Sequence, residues 1–245
     1  MLTTQDPGGV GMALKISGIP KLNVPVIPLT RRGALRNDVY NQAGVMLRGA
    51  KSAIPPIEFI ATESLNVAAI QQMWNEVSLK PEETLVLRAL RFIDSKIERI
   101  APLIAQFYWG IPSRGGFIVR RAGEEVPVPI GSFGDGIWRL FSLAVSLSRT
   151  KNGILLIDEI DTGLHYTVMT EMWRFVNDVS RDFNIQVFAT THSYDCVHSL
   201  ATICREAGDS EGQITIHRIE AEKTESILFT AKQIQSAAER EIEIR

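Results

Sequence analysis

Apolar residues in this chain follow two patterns, short uninterrupted runs and helical stripes. Residues 153–159 read Gly-Ile-Leu-Leu-Ile-Asp-Glu, and a second run over residues 185–191 is followed by His192. Four consecutive aliphatic residues without helical gaps are typical of a strand that is buried on both faces, as in a parallel sheet covered by helices. The two runs therefore predict two strands of such a sheet.

The helical stripes and turn residues predict the remaining elements of an α/β fold. Residues 81–100 open with Pro81 and two acidic residues, and apolar side chains recur from Val86 to Ile100 at helical spacing, so we expect one long helix there. The other predicted elements are a short strand at 57–61, helices at 66–77, 137–147, 168–183 and 231–239, and hairpins joining 116–121 to 126–130 and 213–219 to 226–230.

Two adjacent carboxylates, Asp158 and Glu159, stand at the expected carboxyl end of the first strand. Open α/β sheets bind their ligands at this edge. Buried carboxylates are unfavourable and repel each other, so a cation or a proton-transfer task would explain the pair. The expected occupant is Mg²⁺ with a nucleotide phosphate. The alternative is that Asp158 only caps the following helix.

A glycine-rich segment, Gly131-Ser-Phe-Gly-Asp-Gly136, precedes the predicted 137–147 helix. Small residues let a phosphate approach the main chain, and the first helical turn offers free N–H groups and the positive end of the helix dipole. This glycine loop, residues 131–136, is therefore a candidate phosphate-binding element.

The glycine loop, helix, strand, Asp-Glu pair and second strand follow one another in a fixed order that resembles the C-terminal half of an ABC-type ATPase. The similarity is greatest to stand-alone ATPases of the overcoming-lysogenization-defect (OLD) and SMC/RecF groups. It implies a P-loop NTPase-like α/β fold, with a mostly parallel sheet flanked by helices and a small helical appendage. The motifs that carry it are Ser132-Phe-Gly-Asp-Gly136, Leu156-Ile-Asp-Glu-Ile-Asp-Thr-Gly-Leu-His165 and Phe188-Ala-Thr-Thr-His-Ser193.

The resemblance implies a metal-binding role for one residue and a catalytic role for two. Asp158 matches the Walker B aspartate that holds Mg²⁺ through water. Glu159 matches the carboxylate that polarises the attacking water, and His192 matches the switch histidine that contacts the terminal phosphate. The implied activity is Mg²⁺-dependent ATP hydrolysis, which relies mainly on positioning and charge stabilisation. Relatives of this kind take part in DNA transactions and phage defence.

A second set of residues implies a dimer. Ser132, Gly134 and Gly136 match the signature loop, which in these ATPases binds the nucleotide held by the opposite subunit. Asp161 matches the loop that crosses the dimer interface. The expected assembly is therefore a homodimer, or a complex with a separate nucleotide-binding lobe.

One departure from the family pattern concerns the phosphate loop. No Gly-x-x-x-x-Gly-Lys-[Ser/Thr] motif (Walker A) occurs in the 245 residues. We therefore expect an incomplete N-terminal lobe, with 1–56 as an irregular basic segment, 57–110 as a helical appendage and 111–245 as the C-terminal ATPase lobe. The competing hypothesis is a non-hydrolysing module whose partner supplies Walker A.

A third interpretation is a metal-dependent nuclease. Asp158, Glu159 and Asp161 are close in sequence, as the ligands of a two-metal site need to be. A further acidic residue on another strand would be required, and the sequence offers no convincing candidate. His192 also fits a phosphate sensor better than it fits this site.

Composition adds expectations about partners and location. The net charge is −2, but residues 1–56 carry seven basic and two acidic side chains. Such a flank suits DNA, although it lacks interleaved aromatic residues. The two cysteines, Cys196 and Cys204, have no ligand-type spacing and indicate free thiols. Without a signal-type N-terminus or a bilayer-length apolar stretch, we expect a cytoplasmic protein that does not contact a membrane.

Overall fold

The structure, a computed structural model, describes residues 13–14, 27–28, 55–62, 67–103, 116–206, 214–220, 223 and 225–244. The chain divides into two units, Met1–Ile54 and Pro55–Arg245. In the first unit, strands β1 (Ala13–Leu14) and β2 (Ile27–Pro28) pair antiparallel. The rest of this unit, for which the sequence predicts an irregular basic segment, lies outside the described residues.

The second unit contains both strands and helices along the chain. Its strands are β3 (Ile57–Ile60), β4 (Ile97–Pro102), β5 (Phe117–Arg121), β6 (Val128–Pro129), β7 (Ile154–Ile157), β8 (Gln186–Ala189), β9 (Thr215–Arg218) and β10 (Ile227–Thr230). Its helices are α1 (Val67–Val77), α2 (Glu83–Leu90), α3 (Asp135–Arg149), α4 (Tyr166–Asp182), α5 (Tyr194–Glu206) and α6 (Ala231–Glu239). No helix in the described part of the chain has the length and apolar character that crossing a membrane requires.

The central sheet is parallel, with strand order β3–β7–β8. The predicted α/β fold, with helices flanking a mostly parallel sheet, is confirmed. Burial along β7 alternates: Leu155 and Ile157 are buried in a core that α3 and α4 also line, whereas Ile154 and Leu156 are half-buried. Phe59 and Phe188, which flank Leu156 in register, are 59% and 52% exposed. The predicted burial on both faces is therefore correct for one face only.

Helix α3 runs through the middle of the unit and is buried over almost its whole length. Phe141 packs edge-on against Phe117 of β5, with ring centroids 4.8 Å apart, and lies 5.6 Å from the Trp74 ring of α1. At the end of α3, Arg149 forms ion pairs of 2.9 Å with Glu58 of β3 and with Glu76 of α1. The helix therefore connects the parallel sheet to the layer formed by α1, α2 and β5.

The helix predicted over residues 81–100 is wrong beyond Leu90. Residues 97–102 instead form β4, which pairs antiparallel with β5, and β5 pairs with β6. A register irregularity lies between Ile97 and Arg99, and both Ile97 and Ile100 are buried. Because a bulge inserts an extra residue, it turns two side chains three positions apart toward the same face. That spacing imitates a helix in the sequence.

The C-terminal segment forms a second hydrophobic core between α5, α6 and the β9–β10 hairpin. A capping box starts α6, where the N–H of Thr230 donates to Oε1 of Gln233 at 2.9 Å. The two predicted hairpins and the predicted helices at 66–77, 168–183 and 231–239 are confirmed to within a few residues.

Truncation of Phe141 will test the central role of α3. Phe141 is fully buried, so Phe141→Ala should lower the free energy of unfolding by about 3–5 kcal/mol, because it removes apolar contacts and leaves a cavity. Phe59→Ala, at a phenylalanine that is 59% exposed, should lower it by less than about 1 kcal/mol. Urea-induced unfolding measures both values, and equal losses would contradict this account of the core.

Candidate functional site

Three neighbouring strand ends meet at the Asp158 carboxylate. Asp158 follows β7, and its N–H donates to the carbonyl of Ile60 in β3 at 2.8 Å. Its Oδ2 accepts a hydrogen bond from Thr62 Oγ1 at 2.5 Å, and its Oδ1 accepts one from Thr190 Oγ1 at 2.7 Å. The threonines follow β3 and β8, so the sheet topology alone brings these three residues together.

These contacts keep Asp158 ionised. The hydrogen bonds from Thr62 and then Thr190 lower the pKa of Asp158, and partial desolvation opposes them. Electrostatic interactions with the nearby Arg139 and His192 side chains lower the pKa of Asp158 further. A carboxylate that accepts hydrogen bonds in its charged form resists protonation.

Residues 158–164 form a segment that we call the acidic turn. Glu159, its second residue, adopts an unusual main-chain conformation. Its φ angle is +46°, in the left-handed region that residues other than glycine rarely adopt. The N–H of Glu159 donates to Thr190 Oγ1 at 2.9 Å, and its carbonyl accepts from the N–H of Thr162 at 3.0 Å. Its carboxylate accepts a 3.2 Å bond from Thr162 Oγ1. Such a conformation persists where surrounding contacts impose it.

Arg139 of α3 supplies the most extensive of these contacts. Its guanidinium is buried and donates to the carbonyls of Ala61 at 2.8 Å, of Glu159 at 2.7 Å and of Asp158, with a longer contact of 3.4 Å to the carbonyl of Ile160. Desolvation lowers the pKa of Arg139, and the carboxylates at 161, 158 and 159 oppose that shift. Its charge therefore lies directly beneath the acidic turn.

The second half of the acidic turn is bonded to the loop between β8 and α5. Thr191 Oγ1 donates to Asp161 Oδ1 at 2.5 Å and accepts from the N–H of Ser193 at 3.0 Å. Ser193 Oγ in turn accepts from the N–H of Cys196 in the first turn of α5, at 3.2 Å. His192 lies exposed in this loop, close enough to interact electrostatically with Asp158.

The glycine loop meets the acidic turn at one point. Ser132 lies in a short 3-10 helix, Ile130–Phe133, and Gly134, with φ of +84°, connects it to α3. Both residues are exposed. Gly136 is buried, and a Cβ there would lie 2.7 Å from the carbonyl oxygen of Gly163, so only glycine fits. The contact joins the start of α3 to the acidic turn.

The residues at Asp158 fit a Mg²⁺ ion that receives most of its ligands from water and phosphate. No group of three His, Cys, Asp or Glu side chains among the described residues is arranged to hold a metal ion by itself. Mg²⁺ is commonly bound by only one or two carboxylates, with waters and substrate phosphates completing its coordination. Ionised Asp158, flanked by two hydroxyls, matches that requirement, whereas the described residues do not supply the larger cluster of a two-metal nuclease.

The two cysteines are buried free thiols, as the sequence predicts. Burial raises the pKa of Cys196 to about 12 and the pKa of Cys204 to about 11. The thiolate is the reactive form of cysteine, so neither side chain suits a nucleophilic or redox role.

Of the residues nominated from the sequence, the structure brings Asp158, Glu159, Asp161 and His192 to one edge of the sheet. Gly136 contacts that edge, while Ser132 and Gly134 lie at the exposed end of the glycine loop. Sequence reasoning missed three residues of the site: Thr62, Arg139 and Thr190. A charged residue within the apolar pattern Gly-Ile-Trp-Arg-Leu-Phe was the available signal for Arg139, because a buried cation needs a specific set of acceptors.

The Gly136–Gly163 contact can be tested with alanine. Gly136→Ala places a methyl group against a main-chain oxygen, so we expect a loss of about 1–3 kcal/mol in the free energy of unfolding. Gly131→Ala is the matched control, since a Cβ at Gly131 has nothing within 4 Å and its φ is not left-handed. Thermal unfolding compares them, and a fully stable Gly136→Ala protein would refute the close contact.

The hydrogen bond from Thr62 predicts how Asp158 titrates. A lowered native pKa contributes stability above the unfolded value, about 3.9, and that contribution is lost as the pH falls through the native pKa. Thr62→Val should raise the pKa of Asp158 toward its ordinary range, as followed by carboxyl ¹³C NMR without metal. Thr84→Val removes a hydroxyl bonded to the Pro81 carbonyl and should leave Asp158 unchanged. If the pKa of Asp158 is the same in the wild type, Thr62→Val and Thr84→Val, the hydrogen bond from Thr62 does not lower it.

Known proteins share sequence or structure with this chain. A protein from Helicobacter pylori named "ATP/GTP phosphatase" is 25% identical over 200 residues, which cover 79% of this chain and 50% of that relative. The chain thus spans about half the length of this curated relative. The "SMC head domain from Thermotoga maritima" aligns over 70% of this chain and 52% of its own, with 15% identity and a TM-score of 0.41. A chain described as "Structural biochemistry of ATP-driven dimerization and DNA stimulated activation of SMC ATPases" aligns over 74% and 99%, with 11% identity and a TM-score of 0.43.

A protein-family model gives the assignment. The model described as "AAA domain, putative AbiEii toxin, Type IV TA system" matches residues 17–195, a stretch that includes the parallel sheet, the glycine loop and the acidic turn. The P-loop NTPase-like fold class expected from the sequence is confirmed. Because the match covers well over half of the chain, this chain belongs to that family of AAA-type ATPase domains.

Proposed function

We propose that this chain binds ATP and Mg²⁺ at the carboxyl edge of β3–β7–β8 and contributes the hydrolytic carboxylate to an ATPase site shared with a second subunit or lobe. The observation that carries the proposal is the ionised Asp158 with Glu159 beside it, held by residues from three adjacent strand ends. Parallel α/β sheets bind phosphorylated ligands at this edge. Membership of an AAA-type ATPase family agrees with ATP as the ligand.

Asp158 is the proposed metal-binding residue. Its lowered pKa favours the charged form that Mg²⁺ requires, and the hydroxyls of Thr62 and Thr190 orient its carboxylate. When bound, Mg²⁺ would neutralise charge on the phosphate oxygens. Asp158 therefore acts by holding a charge in place rather than by transferring a proton.

Glu159 and His192 are the proposed catalytic residues. Glu159 orients the attacking water and accepts its proton as the water oxygen bonds to the γ-phosphorus and the bond to the ADP oxygen breaks. His192 lies exposed on the same edge, where an imidazole suits a contact with the terminal phosphate. The carboxylate and the imidazole thus approach the phosphate from two loops of the sheet.

The glycine loop is proposed to act across a subunit interface. Ser132 and Gly134 are exposed at the start of α3, where main-chain N–H groups and the helix dipole favour a phosphate. Asp161, bonded to Thr191, would lie in the crossing loop beside them. A homodimer that pairs one glycine loop with the partner's acidic turn is the expected assembly.

A non-hydrolysing module is the second candidate, in which a partner supplies the phosphate-binding loop. Two observations favour it. The sequence contains no Gly-x-x-x-x-Gly-Lys-[Ser/Thr] motif, and Ile57, Phe59 and Phe188 of the parallel sheet are 54%, 59% and 52% exposed. Parallel sheets normally have both faces covered, so this face suits packing against a further lobe.

Three further proposals rest on the sequence resemblance. They are the affiliation with the OLD group, the identity of the chain as a C-terminal half, and a role in DNA transactions or phage defence. A cytoplasmic location is likewise proposed, since Cys196 and Cys204 are free thiols, as is usual in a reducing compartment.

ATP turnover distinguishes the two candidates. Magnesium-dependent phosphate release by the purified chain should fall at least about 100-fold in kcat in Glu159→Gln, because the amide cannot accept the proton, while ATP binding persists. Glu125→Gln, at an exposed carboxylate between β5 and β6, is the control and should retain activity. Failure of the wild-type chain to bind nucleotide at millimolar concentration would reject the ATPase proposal in favour of the partner-dependent module.

A further inference from the structure

Arg139 is a buried cation to which the proposed hydrolysis assigns no role. It is 5% exposed and lies within the apolar helix α3. Its hydrogen bonds end on main-chain carbonyls of residues 61, 158, 159 and 160, rather than on a carboxylate. Burying a guanidinium is unfavourable unless its donors are satisfied, so the acidic turn and Arg139 stabilise each other.

Arg139 contacts the two carbonyls that precede and follow the Cα atom of Glu159. One terminal nitrogen, Nη2, donates to the carbonyl of Asp158 and to the carbonyl of Glu159. Fixing two consecutive carbonyls restricts the main-chain dihedral angles between them, and Glu159 has the left-handed φ of +46°. On the opposite side, Thr190 Oγ1 accepts from the N–H of Glu159. The direction of the Glu159 side chain is therefore set by a bond network that begins at Arg139.

The same helix connects Arg139 to the glycine loop. Arg139 lies three residues after Gly136, hence on the same face of α3 and about one turn along it. Gly136 itself packs against the carbonyl of Gly163 in the acidic turn. The start of α3 and the acidic turn therefore contact each other at two points, through Arg139 and through Gly136.

We propose that Arg139 is a positioning residue: it holds the main chain of Glu159 so that the carboxylate points where the attacking water will lie. The inference rests on the proposed ATPase function and deepens it: Arg139 is buried and bonded to the main chain of the acidic turn, so it acts through Glu159. Through α3, the position of the glycine loop also bears on the orientation of Glu159. Displacing a catalytic group by as little as 1 Å can lower the rate by about 100-fold.

Substitution at Arg139 tests the proposal. Arg139→Met keeps the length of the side chain but removes every donor, so kcat should fall about 100-fold while KM for ATP stays within about threefold of wild type. Arg139→Lys retains a cationic donor and should recover part of kcat. In Arg139→Ala, added methylguanidine should restore part of kcat by occupying the vacated space, an effect that a general loss of stability would not produce.

Arg149→Met is the matched control on the same helix. Arg149 forms ion pairs with Glu58 and Glu76 and makes no contact with the acidic turn in the described structure. It should change thermal stability without changing kcat. Wild-type kcat in folded Arg139→Met, or an equal fall in kcat for the Arg149 variant, would overturn the proposal.

A second measurement separates this inference from the ATPase proposal. The ¹³Cα and ¹³Cβ chemical shifts of Glu159 report its left-handed conformation without any turnover. They should move to ordinary values in Arg139→Met, move only part of the way in Arg139→Lys and remain unchanged in Arg149→Met. If the wild-type protein is inactive but Arg139 substitution shifts these signals, the ATPase proposal is rejected and the positioning contact is supported. If the signals do not shift, the positioning contact itself is rejected.

Discussion

The buried guanidinium of Arg139 is the interaction on which the candidate site depends. A cation withdrawn from water requires acceptors for its donors, and Arg139 finds them on the carbonyls that follow β3 and β7. Because the carbonyls of Asp158 and Glu159 belong to the acidic turn, the hydrogen-bonding requirement of one side chain fixes the backbone of that turn. Helix α3 thus has two roles: it supplies the aromatic centre of the core through Phe141 and the polar support of the sheet edge through Arg139.

The acidic turn combines high negative charge with satisfied hydrogen bonds. Each of its carboxylates accepts from a threonine hydroxyl: Asp158 from Thr62 and Thr190, Glu159 from Thr162, and Asp161 from Thr191. Hydroxyl donors orient a carboxylate without neutralising it, so the negative potential at the edge is kept. Such an edge is suited to a divalent cation that carries phosphate, and it would repel a phosphate that arrived alone.

The surface of the parallel sheet agrees with a site that is completed by another lobe or subunit. Phe59 and Phe188 expose apolar area on the face opposite α3, and Ser132 of the glycine loop is exposed beyond the acidic turn. The proposed function therefore divides the work between surfaces: the described edge supplies carboxylates and an imidazole, and a second subunit or lobe completes the nucleotide site.

The sequence by itself determined the elements that a regular apolar pattern or turn residues mark: the β7 and β8 strands, the α1 and α4 helices and both hairpins. It also placed the Asp158–Glu159 pair at a strand end. It failed at β4, where a bulge gave strand residues a helical spacing. It also could not reveal the partners of Thr62 and Arg139, which lie 96 residues away at Asp158 and 78 residues away at Ala61. Local patterns record which face of an element is buried. Only the packing of strands and helices from distant parts of the chain decides which polar groups meet, because that meeting depends on sheet order and register.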